Sequence, residues 1–149
     1  MPRVAENRAV VEGIGVTRRT NRELCFAMLE TYRPNRLDEL LELLDPSIEW
    51  VTTEGWIERE TWRGREGVRA GLQSFFDEWE EFSHELLEFR DAGDRFALTT
   101  RMRGKHRLTG IETEMETAGV CEVRDGRAIR IVGYSDPEAA LRAVEPTES

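Results

Sequence analysis

Residues 113–136, TEMETAGVCEVRDGRAIRIVGYSD, decide the fold, because they read as two long strands about a tight turn. The turn is Arg124-Asp125-Gly126-Arg127, where Asp125 and Gly126 can take the positive φ angles of a two-residue primed hairpin at little cost. It sets the register of both arms. On the first arm Thr113, Met115, Thr117, Gly119, Cys121 and Val123 alternate with Glu112, Glu114, Glu116, Ala118, Val120 and Glu122, so the small and apolar set is expected inward. On the second arm Ile129, Ile131, Gly133 and Ser135 alternate with Arg130, Val132, Tyr134 and Asp136. Both inner faces become smaller and more polar away from the turn, at Thr113, Met115 and Thr117 on one arm and at Gly133 and Ser135 on the other. A sheet that exchanges bulk for small polar groups at one end leaves room for a pocket. The same pattern also suits a solid core that tolerates a few Thr and Gly, and alternation alone leaves both readings open.

The segments before the hairpin supply more sheet. Residues 82–89 allow a strand, Asp91-Ala92-Gly93-Asp94 a turn, and residues 96–103 another strand. Alternation on the latter separates Phe96, Leu98, Thr100 and Met102 from Ala97, Thr99, Arg101 and Arg103. If the second set faces the pocket, two arginines point into it. Residues 104–110 read as a polar loop, in which Lys105, His106 and Arg107 form either a local basic patch or a solvated turn.

Further toward the N-terminus the period changes from two to 3.6. Thr20-Asn21-Arg22-Glu23 has the form of a capping box and opens a helix that carries Leu24, Phe26, Ala27, Met28 and Leu29 to about Tyr32. Leu37, Leu40, Leu41 and Leu44 mark a second helix, closed by Asp45-Pro46. A strand over 47–53 places Trp50 beside Glu49. Gly64-Arg65-Glu66-Gly67 opens a third helix with Val68, Leu72, Phe75, Phe76 and Trp79 on its apolar face. Trp50, Trp56 and Trp62 lie close in sequence, and three indoles there suit either a pocket wall for a ligand with a ring and an oxygen or a cap on the core. After the hairpin, Asp136-Pro137-Glu138 is a helix start, with Asp136 as N-cap and Pro at the first position. The expected order is helix, helix, strand, helix, four strands and a short helix: an α+β cone, in which N-terminal helices cover a curved antiparallel sheet and enclose a pocket.

The chain has 149 residues, with 21 Lys and Arg against 30 Asp and Glu and a formal net charge of −9. That length suits one domain, assigned to 17–145 between an N-terminal arm over 1–16 and a tail over 146–149. The negative charge disfavours nucleic acid and anionic lipid as partners. The sequence shows neither an apolar run of membrane-spanning length nor a secretion signal, so a cytoplasmic protein is expected. Cys25 and Cys121 have no CxxC or Cys/His spacing and read as buried thiols. His84 and His106 have no local ligand pattern, so no metal is expected, and no glycine-rich nucleotide loop points to a cofactor.

The chain resembles the SnoaL-like proteins of the nuclear transport factor 2-like cone superfamily, which are related to polyketide cyclases and ketosteroid isomerases. The resemblance lies in the Leu-rich second helix running into Asp45-Pro46-Ser47-Ile48-Glu49-Trp50, in Trp62-Arg63-Gly64-Arg65-Glu66-Gly67-Val68, and in Arg124-Asp125-Gly126-Arg127 followed by Tyr134-Ser135-Asp136 and Glu138-Ala139. It covers about residues 20–144. It implies a small-molecule protein, either a cofactor-independent isomerase or cyclase acting on an apolar, oxygen-bearing ring compound, or a non-catalytic binder or assembly module of the same fold. A hydrolase set like that of the related epoxide hydrolases would need carboxylates where Arg103 and Gly133 stand. A cyclase needs only one acid or base in an apolar pocket. The resemblance makes Asp136 the first candidate, with Glu49 second and His106 third, while Arg101 is placed to polarise a carbonyl. The expected ligand wall is Trp50, Trp56, Trp62, Arg103, Met115, Thr117, Ile131, Gly133 and Ser135. The outer face of the hairpin, at Ala118, Val120, Val132 and Tyr134, is the expected surface of a homodimer.

Overall fold

The computed structural model describes residues 19–53 and 59–145. The arm over 1–16, Trp56 and the tail over 146–149 lie outside the described residues. Four helices, α1 (Asn21–Thr31), α2 (Leu37–Glu42), α3 (Gly64–Glu78) and α4 (Pro137–Ala143), accompany six strands: β1 (Leu44–Val51), β2 (Thr61–Arg63), β3 (Trp79–Asp91), β4 (Arg95–His106), β5 (Glu112–Arg124) and β6 (Arg127–Tyr134). The strands form one sheet in the order β2-β1-β6-β5-β4-β3. The α+β cone expected from the sequence is the architecture observed.

The hairpin β5–β6 is as its sequence requires: Asp125 and Gly126 have φ of 55° and 78°. Gly119 pairs with Gly133 and Cys121 with Ile131, which brings the small ends of both arms side by side. Helix α1 opens on the capping box. The Thr20 hydroxyl accepts from the Glu23 amide at 3.1 Å, and the Glu23 carboxylate accepts from the Thr20 amide at 2.9 Å, an arrangement that stabilises a helix start by about 1 kcal/mol.

Several boundaries differ from expectation. Helix α2 ends at Glu42, and Leu44 already belongs to β1: the fourth leucine of the expected helical stripe enters the sheet because Ala128 donates its amide to the Leu43 carbonyl and draws the chain alongside β6. That pairing of β1 with β6 is parallel, in a sheet otherwise antiparallel. Strand β2 was not expected; it pairs Trp62 with Trp50. Trp79 leaves α3 in an extended conformation, φ −122° and ψ 141°, and starts β3 instead of closing the helix. The expected loop after 103 is strand as far as His106, and the turn follows it.

The main core lies between the inner face of the sheet and α1, α2 and α3. Leu24, Leu40, Leu44, Ile48, Val68, Leu72 and Phe96 are almost completely removed from solvent there, each contributing roughly 1.5–3 kcal/mol of hydrophobic free energy. A second, smaller core sits on the opposite face, where Ala140, Leu141 and Val144 of α4 and its end pack on Ala97, Ala118 and Val120. This corrects the expected dimer surface. Ala118 and Val120 are buried under the chain's own last helix, and Tyr134 packs against the same cluster. Their small side chains suit the close approach of a helix.

Candidate functional site

The core does not fill the cone. Between the helices and the inner sheet face is a cavity of about 180 Å³, lined by α1 (Cys25, Met28, Leu29), by Tyr32, by Trp50, Trp62 and Phe75, and by inward residues of β3 to β6. The solid-core reading of the hairpin is therefore set aside. Phe96, Leu98, Thr100 and Met102 of β4 face the cavity, as do Thr117, Gly119 and Cys121 of β5 and Ile131 and Gly133 of β6. Room at Gly133 is a close-packing matter: a Cβ there would stand 2.1 Å from the Thr53 hydroxyl and 3.0 Å from its amide nitrogen.

Part of the wall is an aromatic cluster, and the rest is largely aliphatic and small residues. Tyr32 stacks on Trp50 at 6.2 Å with 21° between planes, and Trp50 meets Trp62 at 6.0 Å. Trp62 is held in two ways. Its indole donates to the Glu60 carboxylate at 2.5 Å, and its ring lies so close over α3 that a Cβ on Gly71 would come within 2.2 Å of it. Tyr32 also contacts Phe76 at 5.3 Å and Phe82 at 5.8 Å, both within the range of favourable ring pairs.

Polar groups are few. The Thr100 and Thr117 hydroxyls bond to one another at 3.1 Å, and Thr117 donates to Met102 Sδ at 3.3 Å, so Thr100 is the donor in the first bond. On β3, His84 lies 5.5 Å from the Tyr32 ring, and its Nε2 is 2.8 Å from the Leu29 carbonyl. A carbonyl only accepts, so Nε2 carries the proton and in the neutral ring Nδ1 is the acceptor. Burial, with a smaller effect of the Arg33 charge, pushes the His84 pKa below its ordinary 6.5 despite the bond to Leu29, which acts the other way. Burial likewise raises Tyr32 and both thiols, Cys25 to about 12, so these three stay protonated. Cys25 and Cys121 are free and buried, as expected.

No carboxylate, lysine or arginine lines this cavity among the described residues. Of the expected ligand wall, Trp50, Trp62, Thr117, Ile131 and Gly133 are brought together around it; Met115, Ser135 and Arg103 are not. The three residues expected to do chemistry lie elsewhere. Asp136 is the N-cap of α4, accepting from the Glu138 amide at 3.1 Å with Arg142 at 4.0 Å, and is exposed. Glu49 points to the outer face of β1, paired with Arg63 and lying 3.8 Å from Arg130. Arg101 is on the outer face of β4 among Glu85, Glu114 and Glu116, at 3.3, 3.6 and 3.6 Å, and Arg103 bonds Glu114 at 2.9 Å. The physical reason is strand alternation: once Phe96, Leu98, Thr100 and Met102 turn inward to the helices, Arg101 and Arg103 must turn out. His106 ends β4 with its ring edge-on to Trp79 at 5.4 Å, and it too is outside the cavity lining.

His84 and Tyr32 are not among the site residues expected from the sequence. A signal was available, since His84 sits between Phe82 and Leu86 with period two, as an inward residue of a half-buried strand does. Tyr32 closes the apolar run of α1. Among the described residues there is also no cluster of three or more His, Cys, Asp or Glu able to hold a metal, and no helix is long and apolar enough to cross a membrane.

Solved structures share the fold. TerC co-crystallized with polyporic acid is 24% identical, with a TM-score of 0.69 over 80% of this chain and 93% of that one. A protein with a ketosteroid isomerase-like fold from Catenulispora acidiphila, in complex with trimethylamine, is 15% identical, with a TM-score of 0.70 over 84% and 94%. A putative SnoaL-like polyketide cyclase from Jannaschia sp. CCS1 is 15% identical, with a TM-score of 0.69 over 96% and 99%. No curated protein gives a significant match. The model of the SnoaL-like domain matches residues 26–131, a span that runs from α1 to the middle of β6 and takes in all the described cavity-lining residues but Cys25 and Gly133, and by that match the chain belongs to the SnoaL-like domain family.

Proposed function

We propose that this protein binds an apolar, oxygen-bearing ring compound in the cone and acts on it as a cofactor-independent isomerase or cyclase, with His84 moving the proton. The observation that carries the reading is the cavity itself, an aromatic and aliphatic enclosure in which one neutral imidazole faces the ligand space. A base of lowered pKa inside an apolar site remains unprotonated at neutral pH and is poised to take a proton next to a carbonyl. In the proposed cycle the bond between a ring carbon and its acidic hydrogen breaks, the proton passes to Nδ1, and the electron pair delocalises onto the carbonyl oxygen. Tyr32, kept protonated by burial, donates to that oxygen. Return of the proton to a different carbon completes an isomerisation; attack of the enolate carbon on a second carbonyl of the same molecule, with the proton going to the new alkoxide, completes a cyclisation.

The reading takes 17–145 as one domain, since the six strands of the described residues form one sheet. It takes the cytoplasm as the compartment, because both thiols are free. Relatives of the same fold include one co-crystallized with polyporic acid and one in complex with trimethylamine, which supports a small molecule as the partner.

A second reading, a binder without turnover, is favoured by one observation: the carboxylates expected to act as acid or base are committed to a helix cap and to ion pairs outside the cone. A thermal-shift screen against aromatic polyketides, steroids, terpenoid epoxides and organic acids tests for the pocket, because a ligand of the native state raises the midpoint by mass action. Stabilising compounds are then incubated in D2O. Deuterium incorporation next to the carbonyl, reduced about 10²- to 10⁴-fold in His84→Gln, establishes the enzyme; stabilisation with no exchange establishes the binder.

A further inference from the structure

Charge, polarity and size in the cavity narrow the ligand beyond a ring bearing an oxygen. No cationic side chain lines the cavity among the described residues, so a carboxylate or phosphate entering it would lose hydration without gaining a counter-charge. Among the described residues no carboxylate lines it either, and an ammonium ligand meets the same difficulty there. The ligand must enter neutral. Thr100 and Thr117 spend their protons on one another and on Met102, and the Trp62 indole spends its own on Glu60. Four nitrogen or oxygen groups of the lining remain open among the described residues, the Trp50 indole, the Thr53 hydroxyl, the Tyr32 hydroxyl and Nδ1 of His84, and of these only the imidazole nitrogen has no proton to give. Nδ1 of His84 and the hydroxyl of Tyr32 have no hydrogen-bond partner among the described residues, and neither is sealed from solvent-sized space, the one buried unpartnered side-chain nitrogen or oxygen there being Nε of Arg95.

With Nε2 committed to the Leu29 carbonyl, His84 offers the ligand a single acceptor, which calls for a donor. Size sets the remaining limit. Interior cavities of about 150 Å³ take a benzene ring, so the 180 Å³ here matches one ring or two fused rings and is small for a tetracyclic skeleton. Resting on the pocket reading above, we infer that the ligand is a neutral phenol or enol of one or two rings, whose hydroxyl donates to Nδ1 of His84 while the ring lies against the Tyr32–Trp50 stack. An oxygen beside that hydroxyl is within the class the Tyr32 hydroxyl serves as donor.

Titration calorimetry on the full chain tests this with 1-naphthol, 1-methoxynaphthalene, naphthalene, 1-naphthoate, 1-naphthylmethylamine and the four-ring phenol estradiol. The expected order puts 1-naphthol about tenfold tighter than its methyl ether, one lost hydrogen bond at a buried acceptor being worth about 1.4 kcal/mol or a factor of ten. The two ions and estradiol fall below naphthalene. In ¹⁵N spectra 1-naphthol shifts the Nδ1 resonance of His84 and the ether leaves it in place, a readout that needs no mutation. His84→Phe, checked for folding by circular dichroism, removes the preference for naphthol over the ether and keeps naphthalene. If naphthol and its ether bind equally with an unmoved Nδ1, or if estradiol or naphthoate binds best, the inference is overturned and the pocket reading survives. If none of the six binds, both fall.

Discussion

The two faces of the same sheet carry opposite chemistry, and the difference explains where function is to be sought. Along the outer face the strand register lines up Arg95, Glu122, Arg130, Glu49 and Arg63 across five strands, β4 to β2. Arg130 lies 3.7 Å from Glu122 and 3.8 Å from Glu49. A second row joins Glu85, Arg101 and Glu116 across β3, β4 and β5. Such cross-strand charges fix register and keep the surface hydrated, at a modest gain each. The inner face has no such rows. It carries Trp50, Thr100, Met102, Thr117 and Ile131, one residue along the chain from Glu49, Arg101, Arg103, Glu116 and Arg130. Residues that look most chemical in the sequence thus hold the sheet in register, and the uncharged ones surround the ligand space.

That contrast breaks most readily at the inner face. Phe96→Ala, removing a fully buried ring that packs on Phe89 at 5.4 Å, is expected to cost about 3–5 kcal/mol in urea unfolding. A cost under about 1 kcal/mol would mean that the inner face collapses freely and that the cavity is not a rigid feature. Asp136→Ala is next. As the N-cap of α4, Asp136 contributes roughly 0.5–2 kcal/mol, and its loss should lower the thermal midpoint while leaving ligand binding untouched. Weaker binding by this variant with no loss of stability would return Asp136 to the site.

His84 sharpens the comparison through pH. Its folded pKa lies below the ordinary 6.5 because it is buried, so above about that pH it is neutral in both states and costs nothing. As pH falls below 6.5 the unfolded chain takes up the proton first, and stability drops until the folded pKa is passed. His84→Gln should therefore lose less stability than wild type on going from neutral to mildly acidic pH, measured by unfolding at several pH values. Parallel curves would mean that burial does not depress the His84 pKa in the folded protein.

The smallest effects belong to the outer rows. Arg101→Ala and Glu49→Gln should each change stability by no more than about 1 kcal/mol, weakening further in high salt, since both side chains are partly exposed. Neither should alter ligand binding. A large loss of binding in Arg101→Ala with stability intact would move that residue into the functional site.

Much of this molecule was legible in its sequence. The Asp125-Gly126 turn, the capping box at Thr20, the Asp136 cap and the period-two arms of the last hairpin each follow from local chemistry: the φ angles a residue tolerates, the amides a side chain can satisfy, the faces a strand alternates. These are interactions between near neighbours, and they fix the α+β cone and much of the inward set of the two arms; a bulge between Glu122 and Val123, which alternation does not foresee, puts Ala128 in the main core where Ile129 was expected. What only the tertiary structure decided was the sense of β4, the company of Trp50, and the site itself. Alternation divides Arg101 from Met102 but does not say which of the two meets the helices; that depends on the large apolar surface of α1 and α3 closing over Phe96 and Leu98. His84 becomes a poised acceptor only because Leu29, far from it in sequence, offers a carbonyl at 2.8 Å, and Tyr32 lines a cavity only because β1, β3 and α3 converge on its ring. A pocket is made by elements distant in the chain, and no local rule contains it.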